Sequence, residues 1–208
     1  MRYVIGADEV GRGCVAGDVL VCAVMVPEDK PTVEGVRDSK KLSATRREAV
    51  NQRLFADPAV ISRVATRPAT LIDSKGISLA LRECFTEAIQ GLLDMLVEGD
   101  EVSVRVDGNP FPLDVTAPVT FIVRGDDSEW VIGAASIIAK VTRDRYMGDM
   151  GDVHPGYGFE KHAGYGTPEH IEAIKKLGLS PIHRASFCKA WTPTKVFEDA
   201  SILDLFGG

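Results

Sequence analysis

Two short apolar runs open the chain. Residues 2–7 and 19–26 are rich in β-branched side chains and read as buried strands. Gly11-Arg12-Gly13 and Gly17 supply a flexible connection between them. Ser43 begins a polar, arginine-rich helix that stops near Asp57-Pro58, and residues 59–67 read as a third strand. From Ile77 to Val97 apolar residues recur at helical spacing, which predicts a long amphipathic helix lying on a sheet. Residues 101–107 and 119–124 alternate like strands, and residues 130–147 form an apolar helix whose far end turns basic. Thr167-Pro168-Glu169 combine an N-cap, an N1 proline and a first-turn acid, so another helix runs from there to Gly178. This order predicts an α/β fold with a mixed five-stranded sheet flanked by helices.

A chain of 208 residues suits one well-cored domain. The expected division is a single catalytic domain over 1–208, with a helical C-terminal portion from about residue 150 and a tail at 201–208. Hydrophobic residues make up 45% and charged residues 26%, ordinary values for a globular protein. No apolar run approaches the roughly 18 residues of a membrane span, and no signal-peptide pattern opens the chain. A cytoplasmic monomer with no membrane partner is therefore expected. Cys14, Cys22, Cys84 and Cys188 lack the spacing of a zinc site, and reduced structural thiols are expected. A net charge of -6 lowers the expectation of tight non-specific binding to nucleic acid without excluding a small basic groove.

The acids change this picture. Asp8 and Glu9 follow the first apolar strand, Asp107 follows another, and Asp126 follows a third. Carboxylates at the ends of buried strands need compensation, and four gathered at one sheet edge suit Mg²⁺ or Mn²⁺. Solvated turns are the plainer reading of any one of them, and for Asp107-Gly108-Asn109 alone that reading prevails. Neighbouring strand residues point to opposite faces, so Asp8 and Glu9 act together only if the backbone leaves strand geometry, which Gly11 and Gly13 make easy. Phosphodiester hydrolysis is the natural chemistry of such a set, with two ions about 3.5–4 Å apart. His154, His162, His170 and His183 show no zinc or triad spacing and are expected to be surface or hydrogen-bonding side chains.

Several motifs occur in a fixed order. They are Gly6-Ala7-Asp8-Glu9-Val10-Gly11-Arg12-Gly13, Asp38-Ser39-Lys40-Lys41-Leu42, Val106-Asp107-Gly108-Asn109 and the run from Ala134 to Asp144. His154-Pro155-Gly156-Tyr157-Gly158-Phe159, Gly164-Tyr165-Gly166-Thr167 and Ser180-Pro181-Ile182-His183-Arg184 follow. From Ile5 to about Phe187 the chain resembles bacterial ribonuclease HII, the type 2 ribonuclease H. The resemblance implies a ribonuclease H-like fold and a metal-dependent endoribonuclease. Such an enzyme acts on RNA–DNA hybrids and cuts 5′ of ribonucleotides embedded in duplex DNA, leaving 3′-hydroxyl and 5′-phosphate ends. It implies that Asp8, Glu9, Asp107 and Asp126 are the catalytic metal ligands, with Asp127 the alternative to Asp126. Gly11, Arg12 and Gly13 match the motif whose backbone reads the 2′-hydroxyl and adjoining phosphate, and Tyr165 matches the tyrosine that stacks on the following deoxyribose. Ser39, Lys40 and Lys140 are placed at substrate phosphates, while Arg143 and Arg145 stay open between phosphate contact and a solvated helix end.

The chain departs from the family pattern at Cys14 and Asp18, where prolines are common, and an acid at Asp18 stands to alter metal or phosphate affinity. Ile202-Leu203-Asp204-Leu205-Phe206 looks like a motif that docks on the DNA sliding clamp, with Ile202 in place of the usual glutamine. An apolar tail packing on the domain is the other reading. A hybrid-binding scaffold without catalysis is disfavoured by the four acids. Ribonuclease HIII is disfavoured by the GRG motif and by a first catalytic strand that starts at residue 3.

Overall fold

The computed structural model describes residues 1–30, 33–36 and 42–192. Five strands form one sheet: β1 (Arg2–Val10), β2 (Val19–Pro27), β3 (Ile61–Arg67), β4 (Glu101–Asp107) and β5 (Val119–Ile122). Their spatial order is β3-β2-β1-β4-β5. β1 lies at the centre, antiparallel to β2 and parallel to β4, and β5 continues the parallel half. The mixed five-stranded sheet flanked by helices that the sequence predicts is present.

The alternation of each strand divides its side chains between two cores. Ile5, Ala7, Val21, Ala23, Val104 and Val106 pack against α3 (Ile77–Leu93), which presents Leu81, Phe85, Ile89 and Leu92. Val4, Leu20, Cys22 and Val24 face α5 (Trp130–Val153), whose Val131–Ala139 stretch is almost wholly buried. α1 (Ala44–Ala56), capped by Ser43, adds Val50 and Leu54 to this second layer. α2 (Ala69–Lys75), α4 (Gly125–Ser128) and α6 (Phe159–His162) are short helices that periodicity does not reveal. α7 (Pro168–Leu177) has the cap, proline and acid expected of it. No helix among the described residues is long and apolar enough to cross a membrane.

Several boundaries move: β3 starts at Ile61 rather than at residue 59, and β5 ends at Ile122 rather than at residue 124. α3 ends at Leu93 rather than near Val97, because tighter turns from Leu92 and Leu93 carbonyls to Met95 and Leu96 replace the α ladder. α5 continues to Val153, beyond the apolar stretch, because Met147 is buried with Ala16 and Phe159 in a third packing centre.

A larger correction concerns β1. It does not end before the acids but runs through Asp8 and Glu9 to Val10, pairing Asp8 with Cys22 and Glu9 with Val21. Cross-strand pairing with the apolar β2 overrides the poor strand propensity of the two acids. The expected departure from strand geometry therefore does not occur.

β1 approaches α5 closely at Gly6. A Cβ there would lie 2.5 Å from the Val131 carbonyl carbon and 2.6 Å from the Ile132 nitrogen. Backbone atoms cannot swing aside, so Gly6→Ala is expected to cost about 3 kcal/mol of stability through overpacking. A urea midpoint unchanged by the substitution would contradict this close contact.

Candidate active site

Asp8, Glu9, Asp107 and Asp126 all line one cleft of about 410 Å³, together with Arg47, Ser136, Lys140 and Tyr165. The sheet explains the convergence. Asp8 lies on the α5 face of β1, where it meets Ser136, while Glu9 shares the α3 face with Ile5 and Ala7. Because both stand at the C-terminal end of the central strand, their carboxylates reach the cleft around the end of the sheet. Asp107 closes the neighbouring parallel strand, and its Oδ1 accepts the Gly125 N–H at 2.6 Å. This bond ties the end of β4 to the helical turn α4. Asp126 thus sits in a short helix after β5 rather than directly on a strand end, and it is 1% exposed. Its neighbour Asp127 pairs instead with Arg124 at 3.3 Å and does not line the cleft.

The electrostatics of the cleft favour a cation. Asp8 is 7% exposed, and burial pushes its carboxyl up to about 7, with the charges of Glu9 and Asp107 adding to the rise. The Ser136 hydroxyl and the Glu9 N–H, which donates at 2.8 Å, partly oppose that rise. Glu9 is raised too, first by burial and then by Asp107, while Arg12 pulls it down. Gathered, desolvated carboxylates of this kind lose little and gain much from a hard divalent ion, and an oxygen-only donor set fits Mg²⁺ or Mn²⁺. Among the described residues no three such side chains are drawn together as a ready-made cage, so the cleft collects the acids without closing them.

Gly11, Arg12 and Gly13 follow β1 on the rim. Gly11 has a φ of +84°, and a Cβ there would strike the Arg143 guanidinium at 2.6 Å. Gly13 has open space where a Cβ would stand, so its backbone face is accessible. Arg12 is exposed and reaches Glu9 at 3.6 Å. The loop is braced from beneath by two buried arginines. Arg143 donates to the carbonyls of Ala16 (2.9 Å), Ala163 (3.1 Å) and Asp18. Arg184 donates to Gly17 at 3.0 and 2.8 Å and to the Arg12 carbonyl at 3.1 Å. Arg143 is thus settled as a structural group, and Arg145 pairs with Glu48 at the surface. Nothing in the motif alone distinguishes Arg184 as a brace.

Lys140 lies in the cleft, bonded to Asp144 at 2.6 Å. Tyr165 is 44% exposed there, and burial of the rest of it raises its hydroxyl pKa. Of the departures from the family pattern, Asp18 is peripheral, whereas Cys14 touches the Tyr165 hydroxyl and helps to raise its pKa. Asp18 accepts from the Tyr146 hydroxyl at 3.3 Å and does not line the cleft, while Cys14 is buried with its thiol toward the Ala163 carbonyl. All four cysteines are free and buried, as expected. Ser39 and Lys40 lie outside the described residues, and so does the 201–208 tail.

Two histidines behind Tyr165 are fully enclosed. His170 and His183 face each other at 3.0 Å between Nε2 atoms, inside a ring of Phe159, Tyr157 and His162. Burial pushes His183 down to about 4, and His170, His154 and His162 add to the fall. A histidine whose folded pKa is depressed contributes stability that is present above its unfolded pKa of about 6.5 and is lost as pH falls toward the folded value. Stability is therefore expected to drop between about pH 6.5 and pH 4, and His183→Gln is expected to flatten that slope in denaturant titrations at successive pH values.

Comparison with known proteins accords with this geometry. The family model described as ribonuclease HII matches residues 5–190. A ribonuclease HII from Leuconostoc mesenteroides is 44% identical over 88% of this chain and 69% of its own length. Among solved structures, the ribonuclease H2 of Pyrococcus horikoshii superposes with a TM-score of 0.72 at 25% identity, covering 90% of this chain and 96% of its own. The ribonuclease HII of Archaeoglobus fulgidus, solved in complex with PCNA, gives 0.71 at 24% identity over 98% of this chain and all of its own. With a family model spanning nearly the whole chain, a relative at 44% identity and the same fold, the chain belongs to the ribonuclease HII family of endoribonucleases.

Proposed function

We propose that this chain is a divalent-metal-dependent endoribonuclease. It cleaves the RNA strand of RNA–DNA hybrids and cuts 5′ of single ribonucleotides in duplex DNA, leaving 3′-hydroxyl and 5′-phosphate ends. The observation that carries the reading is the meeting of Asp8, Glu9, Asp107 and Asp126 in one cleft with Lys140 and Tyr165. The four acids are the ligands for Mg²⁺ or Mn²⁺. When bound, such ions lower the pKa of the attacking water and offset charge on the leaving oxygen.

The remaining steps belong to the chain. Ser136 and the Glu9 N–H hold Asp8 in place, and the Gly125 N–H does the same for Asp107. Lys140 offers its ammonium to a substrate phosphate, exchanging Asp144 for it. The open backbone at Gly13, with Gly11 and Arg12 before it, admits the 2′-hydroxyl that distinguishes RNA from DNA. Tyr165 lays its exposed ring on the deoxyribose that follows. Ser39 and Lys40 are assigned to contacts with the substrate backbone. The tail Ile202–Phe206 is assigned to a DNA sliding clamp, by analogy with the PCNA complex of the A. fulgidus protein. Loss of clamp binding on deleting residues 201–208 checks that assignment.

One assay tests the whole reading: duplex DNA carrying a single ribonucleotide, incubated with Mg²⁺, Mn²⁺ or excess chelator, with products mapped to the nucleotide. The expected result is one cut 5′ of the ribonucleotide with either ion and none with chelator. Full cleavage in chelator, or cuts elsewhere, overturns it.

A further inference from the structure

The Tyr165 carbonyl, which also accepts the Thr167 N–H at 2.8 Å, ends a directed hydrogen-bond chain that starts on another element. Ser180 N–H can only donate, and it donates to His183 Nδ1 at 2.9 Å. The His183 proton therefore sits on Nε2 and points at His170 Nε2, 3.0 Å away. This leaves the His170 proton on Nδ1, where it is donated to the Tyr165 carbonyl at 2.8 Å, a group that can only accept. Each link allows one direction, and both rings are neutral. His170 is wholly buried and His183 is 4% exposed, so the links are shielded from bulk water.

The same two residues join the two parts of the cleft that read substrate. His183 bridges Ala16 in antiparallel fashion, and the Gly17 N–H bonds Ile182 at 2.8 Å, which anchors His183 to the loop following Gly13. His170 stands in the first turn of α7, its N–H bonded to the Thr167 cap, and looks back at Tyr165. His162 stacks on His170 with ring centroids 4.3 Å apart and so holds its plane.

We propose that His170 and His183 are positioning residues that fix Tyr165 against the Gly11–Gly13 loop. They thereby set the preference for a ribonucleotide–deoxyribonucleotide junction over continuous RNA. The proposal rests on the reading of Tyr165 as the group that meets the deoxyribose. A pair of buried histidines that only stabilises the fold would lower activity on every substrate alike. A positioning pair shifts the ratio between substrates.

The test measures kcat and KM of the full chain on two duplexes, one with a single ribonucleotide in DNA and one with a continuous RNA strand. His170→Phe keeps the ring against His162 but removes both hydrogen bonds. It is expected to lower the single-ribonucleotide to continuous-RNA ratio of kcat/KM by about tenfold, the worth of one directed hydrogen bond. His170→Asn places a side-chain N–H where Nδ1–H stood and is expected to restore the ratio to within about threefold. Should the phenylalanine variant not fold, His183→Asn still accepts from Ser180 but does not reach His170, and the same fall in ratio is expected. An unchanged ratio in the folded variants, or equal loss on both duplexes, overturns the inference. Tyr165→Ala separates the two readings. If it lowers the ratio and the histidine variants do not, the positioning role fails alone. If Tyr165→Ala leaves the ratio unchanged, the junction reading itself fails.

Discussion

Asp8→Asn is expected to reduce cleavage by about 10³-fold while making the metal-free protein more stable by about 2 kcal/mol. Both effects have one origin. Asp8 carries its charge in the middle of the sheet end, 7% exposed, with Glu9 and Asp107 close by. Without a cation that charge costs folding energy, which is why burial and like charges push its carboxyl up to about 7. Asparagine has the same shape and no charge. Its Oδ1 still accepts the Glu9 N–H, and its amide finds the Ser136 hydroxyl. With saturating Mg²⁺ the ordering reverses. The wild-type chain gains RT ln(1 + [L]/Kd), whereas the variant has lost a ligand and gains much less. Urea unfolding with chelator and with Mg²⁺, beside single-turnover cleavage, measures both effects. An asparagine variant that is less stable in chelator would refute the view of this site as held-back electrostatic strain.

The sequence makes the fold legible where periodicity is strong. β2 is apolar on both faces because it is buried on both, and the α3 pattern from Ile77 to Leu93 reads as one helix. It is less legible where tertiary pairing sets the outcome. Asp8 and Glu9 look like a turn because acids seldom lie in strands, yet β2 continues alongside them and keeps them in register. Asp126 is picked out by its motif but is carried by a four-residue helix too short to show periodicity. The candidate cleft is legible as acids near strand ends, since topology brings parallel neighbours β1 and β4 to one edge. The supports of the cleft were not visible. Nothing local marks His170, His183 or Arg184 as partners of residues far away in the chain, because their bonds go to backbone carbonyls and to each other.

Arg143 and Arg145 lie two positions apart on α5, look interchangeable in sequence, and are expected to differ sharply. Arg143→Met should cost about 3 kcal/mol and raise KM on every substrate, whereas Arg145→Met should stay within about 0.5 kcal/mol of wild type. Arg143 is 1% exposed, and its guanidinium satisfies the carbonyls of Ala16, Ala163 and Asp18, joining the loop after Gly13 to the segment that carries Tyr165. Methionine fills much of the volume but leaves those buried carbonyls without their guanidinium donor. Lysine is no remedy, since a point charge on a flexible stem does not span three carbonyls and a buried ammonium tends to lose its proton. One effect works the other way. Burial first and the Arg143 charge second bring the Arg184 pKa down to about 10, so removing Arg143 relieves some repulsion. The loss from Arg143→Met and Arg184→Met together is therefore expected to fall short of the sum of the singles. Arg145 has neither role: it is 61% exposed and pairs with Glu48 at the surface. Gly11 adds a check from the opposite side of the same contact, because its missing Cβ is what lets the loop lie on the Arg143 guanidinium. Gly11→Ala forces a left-handed backbone and a collision at 2.6 Å, so it should reproduce the Arg143→Met loss although it removes no hydrogen-bonding group.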